Sequence, residues 1–189
     1  MNIFFFGGTF DPPHKAHKLI YKHCMSLCDK FIFIPTAQSP EKQIPSASDE
    51  QRINMLELLI DSEDSNKVLI DRFEIDSDMK PNYTVNTIIY LKKKFINSSI
   101  HMVVGRDQYE NLSNWKDYNK IIKEVKIVCF NRSFSKLKYQ KYVNFIDFNY
   151  QISSTEIRKK IASGNVNEIK NFLTKEINHL ICNDGLYIN

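Results

Sequence analysis

An apolar run, Ile3–Phe6, leads directly into the glycine-rich segment GGTFDPPHKAH at residues 7–17. A buried strand that turns on two glycines into a helix suits phosphate binding, because glycine lets an anion approach the backbone and the start of a helix offers unpaired N–H groups. His14 and His17 are three residues apart, so on a helix they share one face and can reach the same oxygen. The segment predicts a phosphate site. The alternative is an ordinary strand–turn–helix with surface histidines.

A second segment, ISSTEIR at residues 152–158, predicts another helix start near the other end of the chain. Ser153 and Glu156 have the spacing of a capping box. Arg158 would lie in the first turns of that helix, where it can bind phosphate through charge-assisted hydrogen bonds or stand in solvent. A doubly wound sheet would bring both helix starts to its carboxyl edge, where ligands bind. The two segments together predict one phosphate-binding site.

The rest of the chain alternates between apolar runs of strand length and segments with helical periodicity. Strands are predicted at Ile3–Phe6, Phe31–Pro35, Val68–Ile70, His101–Gly105, Val125–Phe130 and Val143–Ile146. Helices are predicted at Ala16–Cys28, Asp49–Asp61, Val85–Phe95 and Asn114–Lys123, followed by a helical C-terminal part from about residue 153 to Cys182. The alternation predicts an α/β fold with a Rossmann-like doubly wound parallel sheet. We expect residues 1–189 to form a single domain, with 38–48 as a candidate substrate loop.

Composition and charge limit the classes of function. Of the 189 residues, 42% are hydrophobic and 25% are charged, as in an ordinary globular protein. A net charge of +4 suits anionic nucleotides but is too small to argue for nucleic acid. No apolar run is long enough to span a membrane, so no membrane partner is expected. Because the N-terminus leads straight into a strand, we expect no targeting segment and a cytoplasmic location.

The cysteine pattern argues against a zinc site. The sequence contains four cysteines, Cys24, Cys28, Cys129 and Cys182. They lack the paired spacing of zinc ligands, so we expect buried thiols in a reducing compartment. The lysines between residues 136 and 141 form a basic patch, which we interpret as a solvated face.

The two helix-starting segments resemble known signatures. GGTFDPPHKAH resembles the GGTFDPxHxGH signature of the nucleotidylyltransferase superfamily, and ISSTEIR resembles its ISSTxxR motif. Further segments, in the same order along the chain, resemble the bacterial-type nicotinate-nucleotide adenylyltransferases: Phe33–Pro35, Ser39–Lys42, Arg52 with Met55 and Leu56, Tyr83–Val85, Gly105–Asp107, Trp115 and Gly185–Tyr187. Three positions beside substrate-contacting residues depart from the family's pattern: Ala16, Glu41 and Asn82.

The resemblance implies adenylyl transfer from ATP to nicotinate mononucleotide, which gives deamido-NAD and pyrophosphate in NAD biosynthesis. ATP and nicotinate mononucleotide are the expected partners. Mg²⁺ is the expected cofactor, arriving with ATP, and no side chain is predicted as a metal ligand. The alternatives are the same reaction on nicotinamide mononucleotide, a sister enzyme acting on a substrate such as phosphopantetheine, and a regulatory nucleotide-binding protein without catalysis. The oligomeric state stays open, with a homodimer as one alternative.

The resemblance also assigns roles to residues. The expected catalytic residues are His14, His17 and Arg158. The residues expected to bind ATP are Gly8, Thr9, Phe10, His17, Gly105, Asp107, Ser153, Ser154, Thr155 and Arg158. Those expected to bind the mononucleotide are Lys42, Tyr83, Thr84 and Trp115.

Some of these residues have an alternative interpretation. Asp107 would hold the ribose hydroxyls of ATP, and the alternative is a helix N-cap. Trp115 would stack on the pyridine ring, and the alternative is a half-buried helix residue. Asp11 is interpreted as a structural residue that caps or braces the first loop.

Overall fold

A sheet of six parallel strands forms the centre of the computed structural model, which describes residues 1–40, 43–131, 143–148, 150 and 152–188. The strands are β1 (Asn2–Gly8), β2 (Lys30–Pro35), β3 (Val68–Ile70), β4 (Ser99–Gly105), β5 (Lys126–Asn131) and β6 (Val143–Asp147). Their order across the sheet is β3-β2-β1-β4-β5-β6. This is the order of a Rossmann-like doubly wound sheet, so the predicted fold class is confirmed.

Helices cover both faces of this sheet. Those before β6 are α1 (Lys15–Cys24), α2 (Asp49–Leu59), α3 (Phe73–Asp76), α4 (Thr84–Lys94), α5 (Arg106–Glu110) and α6 (Tyr118–Glu124). The helical C-terminal part contains α7 (Ser154–Ala162), α8 (Val166–Ile169) and α9 (Lys175–Asn183). Short 3₁₀ turns occupy Ser62–Asp64 and Leu112–Asn114. Within the described ranges, no helix is long and apolar enough to cross a membrane.

Side chains that alternate along the strands build two apolar layers, one on each face of the sheet. Phe4 and Phe6 of β1 belong to the layer that includes α1, α2, α7 and α9. Ile3 and Phe5 belong to the opposite layer, with α4 and α6. Because helices cover both faces, β1 is apolar without interruption, and this is the pattern that predicted a buried strand.

The strand order reverses between β1 and β4, and this reversal positions the site. From β1 the chain crosses to β2 on one side, whereas from β4 it crosses to β5 on the other. At such a switch point the connections diverge and leave a crevice at the carboxyl ends of the two strands. Gly8 ends β1 and Gly105 ends β4, so two of the predicted nucleotide-binding segments flank this crevice.

Several helix boundaries differ from the prediction. Helix α1 ends at Cys24 rather than Cys28, although the Cys28 N–H still bonds the Cys24 carbonyl at 3.1 Å in the following turn. Helix α6 begins at Tyr118 rather than Asn114, because Asp117 has a left-handed backbone with φ of 56°, which interrupts a right-handed helix. Helices α3 and α5 were not predicted, since four or five residues are too few to show periodicity.

The expectation of buried thiols is correct for three of the four cysteines. Cys24, Cys28 and Cys129 are buried, and burial raises the pKa of each thiol, to about 12 for Cys24 and Cys129. Cys182 is exposed, so the expectation is wrong there. It lies on α9 outside the face that carries the buried isoleucines of that helix. The predicted basic patch between 136 and 141 falls outside the described residues.

Candidate active site

A cavity of about 1000 Å³ opens at the carboxyl ends of β1 and β4. Its lining includes five of the predicted site residues, Gly8, Tyr83, Thr84, Asp107 and Trp115, whereas His14, His17 and Arg158 are not among its lining residues. A smaller groove of about 250 Å³ lies between α4 and α6, and none of the predicted site residues lines it. The larger cavity is therefore the candidate active site.

The two glycines at the end of β1 have different surroundings. A Cβ at Gly7 would meet nothing within 4 Å, so the missing side chain leaves open space at the cavity wall. A Cβ at Gly8 would lie 3.1 Å from the ring of Phe10, which is buried and has a positive φ of 52°. Gly7 therefore fits the expected close approach of a ligand, whereas Gly8 also makes room for the Phe10 ring.

His14 and His17 pack together at the start of α1. Their ring centroids are 3.8 Å apart, and the backbone N–H of His14 donates to Nδ1 of His17 at 3.1 Å. Because Nδ1 of His17 accepts this bond, a neutral His17 ring carries its proton on Nε2. His14 is only 1% exposed and His17 is half-buried. His17 is thus the histidine with more surface to offer a ligand.

The start of α7 contacts the first loop directly. Ser154 Oγ donates to the Pro12 carbonyl at 2.9 Å, and Arg158 Nη1 donates to the Asp11 carbonyl at 2.5 Å. Ser153 caps the helix by accepting the Glu156 N–H at 3.2 Å, which is one half of the expected capping box. The two helix starts predicted from opposite ends of the chain therefore lie together. Ser153 and Thr155 are exposed at this junction.

Asp11 is the centre of a buried hydrogen-bond network beside the first loop, which we call the bracket. Its carboxyl oxygens accept the backbone N–H groups of Ser46 at 2.8 Å and Ala47 at 3.2 Å, and the Tyr187 hydroxyl at 2.7 Å. Arg158 Nη1 lies 3.8 Å from the same carboxyl group. Burial, together with the negative charge of Asp11, raises the pKa of Tyr187, so its hydroxyl stays a donor. The interpretation of Asp11 as a brace is confirmed.

Asp107 lies at the other strand end of the crevice. It is the second residue of α5, whose N-cap is Gly105, so the alternative of an Asp107 N-cap is wrong. A Cβ at Gly105 would lie 2.8 Å from Asp107 Oδ1, which shows that the carboxyl group folds back over the glycine. Asp107 is exposed and lines the cavity, in a position suited to hydroxyl donors.

Tyr83 and Trp115 give the cavity an aromatic wall. Tyr83 is the N-cap residue of α4 and Thr84 is its first residue, and both line the cavity. Trp115 follows the 3₁₀ turn that ends at Asn114, and it packs against the apolar layer of α4 and α6 while also facing the cavity. Trp115 is half-buried, but it lies outside α6, so the alternative of a helix residue is wrong in that respect.

Comparison with known proteins agrees with this geometry. The family model described as cytidylyltransferase-like matches residues 5–160. A probable nicotinate-nucleotide adenylyltransferase of Borrelia hermsii is 32% identical over 193 residues, which cover 100% of this chain and 98% of that protein. A protein of the same description from Borrelia garinii subsp. bavariensis is 37% identical over 169 residues, 87% of this chain and 84% of that one. This chain belongs to the cytidylyltransferase-like family, among the nicotinate-nucleotide adenylyltransferases.

A solved structure shares the fold of this family member. The Plasmodium falciparum nicotinic acid mononucleotide adenylyltransferase, complexed with NaAD, matches it with a TM-score of 0.85 over 98% of this chain and 97% of that chain. The two sequences are 20% identical, so this likeness supports the fold alone.

Sequence reasoning missed the role of Arg52, which resemblance placed only on a helix of the family. Its side chain is fully buried, and Nη1 donates to the carbonyls of Thr9 at 2.6 Å and Thr36 at 2.8 Å. Nη2 pairs with Asp49 one turn earlier on α2. Arg52 therefore ties the segments that follow β1 and β2 to α2. Nothing in the sequence around Arg52 distinguishes a buried arginine from an exposed one.

Two of the departures from the family's pattern have structural uses. Ala16 is fully buried in the apolar layer of α1. The side-chain oxygen of Asn82 accepts the Thr36 hydroxyl at 3.0 Å and the N–H groups of Ala37 and Gln38, each at 3.1 Å. Its amide nitrogen donates to two further carbonyls, at 2.9 and 3.1 Å. Asn82 thus holds the loop after β2 in place. Glu41 falls outside the described residues.

A second missed residue is Glu74 of α3. It is buried, lines the cavity beside Asn82 and accepts the hydroxyl of Thr87 from α4. Burial raises the pKa of its carboxyl group. Lys42, expected to bind the mononucleotide, falls outside the described residues. Within the described ranges, no group of three His, Cys, Asp or Glu side chains could hold a metal ion.

Proposed function

We propose that this chain transfers the adenylyl group of ATP to nicotinate mononucleotide and releases pyrophosphate, which yields deamido-NAD for NAD biosynthesis. The observation that carries the proposal is the junction of α1 and α7 at the loop that follows β1, where Ser154 and Arg158 bond the backbone of that loop. The start of each helix supplies N–H groups and a positive dipole end suited to phosphate. The names of the relatives support the choice of substrates.

The chemistry needs alignment more than covalent participation by the protein. An oxygen of the mononucleotide phosphate attacks the α-phosphorus of ATP, a new P–O bond forms, and the bond to the β-phosphate oxygen breaks in line. Negative charge shifts to the α-phosphoryl oxygens and to the leaving pyrophosphate. His17, donating from Nε2, and the adjacent His14 would stabilise the first charge, and Arg158 the second.

Binding of ATP is divided between the two helix starts and β4. Backbone N–H groups of Gly8–Phe10 and the hydroxyls of Ser153–Thr155 would hold the phosphates, and Asp107 after Gly105 would accept the ribose hydroxyls. Mg²⁺ would arrive with ATP, with phosphate oxygens and water as its ligands, and would offset phosphate charge.

The mononucleotide would occupy the aromatic wall. Trp115 offers a flat face to the pyridine ring, Tyr83 and Thr84 offer backbone N–H groups to its carboxylate, and Lys42 is the proposed phosphate contact. A cytoplasmic location is part of the proposal, since buried thiols such as those of Cys24, Cys28 and Cys129 suit a reducing compartment.

The deciding experiment supplies the purified protein with Mg²⁺, ATP and one acceptor at a time: nicotinate mononucleotide, nicotinamide mononucleotide or phosphopantetheine. The expected product is deamido-NAD, with kcat/KM for the acid at least about tenfold above that for the amide, a difference of roughly 1.4 kcal/mol. Equal efficiencies or an amide preference would refute acid specificity but leave adenylyl transfer intact. Turnover of phosphopantetheine alone would refute the proposal.

A further inference from the structure

The cavity wall is poor in positive charge. Among the described residues that line it, Glu74 and Asp107 carry carboxyl groups and Lys116 is the one lysine or arginine. A ligand with a carboxylate at the aromatic wall needs a charge partner there, because burying an unpaired anion is costly. The sequence around Lys116 does not distinguish it, since a lysine after a tryptophan forms no pattern of its own.

The position of Lys116 is set by its neighbours. It stands between Trp115, which follows the 3₁₀ turn, and Asp117, whose left-handed backbone starts α6. Its Nζ lies 4.4 Å from the centroid of the Tyr83 ring, at the N-cap of α4. Lys92 of α4, by contrast, pairs with the carboxylate of Glu124. In the part of the chain that the structure describes, no carboxylate pairs with Lys116.

Two further features make this corner electropositive. Helix α4 has eleven residues and no acidic side chain in its first turn, so its positive dipole end is not neutralised from within the helix. Glu74, one of the two carboxyl groups that line the cavity, bonds Thr87 and has a pKa raised by burial, which favours its uncharged form. A cation over an aromatic ring, beside a helix start, is arranged to receive an anion.

We propose that Lys116 determines the preference for acid over amide, by pairing its ammonium group with the carboxylate of a pyridine ring stacked on Trp115. The inference rests on the proposed function and names a side chain that determines its specificity. A carboxamide has no net charge and turns an NH₂ group toward one of the donors, so it gains less from Lys116 than a carboxylate does. The backbone N–H groups near Thr84 serve both substrates, whereas Lys116 discriminates between them.

Binding and turnover test the proposal separately. Trp115 is the only tryptophan in the chain, so quenching of its fluorescence reports mononucleotide binding without ATP. In Lys116→Gln, affinity and kcat/KM for nicotinate mononucleotide should each fall about tenfold, while the values for the amide change little. Lys116→Arg should restore most of the preference, since it keeps the charge. Lys120→Gln, an exposed lysine of α6, is the matched control and should match the wild type.

The outcomes separate this inference from the proposed function. If Lys116→Gln keeps the wild-type ratio of acid to amide affinities, the Lys116 proposal is overturned while adenylyl transfer stands. If the wild type forms no dinucleotide from ATP and either mononucleotide, the proposed function fails. An acid preference in the fluorescence titration that Lys116→Gln removes would still support the Lys116 proposal in that case. A wild type without acid preference in binding would overturn it.

Discussion

His17 and Arg158 come from opposite ends of the sequence, yet each is fixed by a bond to the backbone of the same loop. His17 Nδ1 accepts the N–H of His14, and Arg158 Nη1 donates to the Asp11 carbonyl. Each bond engages one nitrogen of the side chain, Nδ1 of His17 or Nη1 of Arg158, and so orients the remaining nitrogens. Preorganised donors of this kind stabilise transition-state charge without reorganising during the reaction.

Replacing His17 by alanine should lower kcat on the order of 10²–10³-fold with a modest change in ATP affinity, because one donor to the transition state is lost. Steady-state kinetics with saturating mononucleotide measures this. His23→Ala is the control, since His23 is an exposed histidine in the last turn of the same helix. Near wild-type turnover in His17→Ala would contradict a catalytic role.

Arg158→Lys should reduce kcat/KM for ATP roughly tenfold or more while KM for the mononucleotide changes little. A lysine keeps the charge but cannot present the planar fork that grips two phosphate oxygens while also bonding the Asp11 carbonyl. Arg72→Lys is the control, because Arg72 pairs with Glu50 and Asp76 outside the cavity. Unchanged ATP dependence would remove Arg158 from the phosphate site.

At the scale of elements, the short helix α3 is held to α4 by one buried polar contact, from Thr87 to Glu74. Burial raises the pKa of Glu74 above 4.5, so the native protein keeps its proton to a higher pH than the unfolded chain does. This contribution to the free energy of unfolding is present below the unfolded pKa and is lost as the pH rises through the folded pKa.

Glu74→Gln keeps an acceptor for Thr87 but never ionises. The Tm of the variant minus the Tm of the wild type should therefore be larger at pH 8 than at pH 5. Thermal unfolding at both pH values measures this difference. Glu50→Gln is the control: the Arg72 side chain lowers the pKa of this exposed group, so its effect on stability changes only below pH 4.5 and its Tm difference from wild type should be nearly the same at pH 5 and pH 8. A pH-independent difference for Glu74→Gln would contradict the buried-acid interpretation.

The strands were predictable because a sheet covered on both faces leaves uninterrupted apolar runs, as in Ile3–Phe6. The α1 and α7 starts were predictable from local signals, namely glycines, histidine spacing and a Ser153 cap. Contacts between segments that are distant in sequence could not be predicted in this way. A buried arginine such as Arg52, a hub such as Asn82 and the cation at Lys116 acquire their roles only from neighbours far away in sequence.

At the scale of the whole molecule, the C-terminal segment reaches back to the first loop. The Tyr187 hydroxyl bonds Asp11, while Asp11 also holds Ser46 and Ala47 of the loop before α2. One carboxyl group therefore joins the start, the first third and the end of the sequence. The conformation of the first loop therefore depends on contacts with all three of these segments.

Removing only the hydroxyl tests this bracket. Tyr187→Phe should lower the free energy of unfolding by about 1–3 kcal/mol, because a buried carboxyl group loses a donor, and should raise KM for ATP. Calorimetry and kinetics measure the two effects. Tyr150→Phe is the control, since its hydroxyl makes a long 3.4 Å bond at the surface. If Tyr187→Phe matched this control in both measurements, the bracket would be unimportant.

The contact between Asp11 and Tyr187 spans 176 positions of the chain. Closing a segment of this length costs chain entropy, which the docking of the C-terminal helices helps to offset. Formation of the sheet, which β1 begins, therefore does not complete the nucleotide loop. A chain whose C-terminal helices have not docked lacks the contacts that Ser154 and Arg158 make with the first loop, so we expect ATP binding to report completed folding.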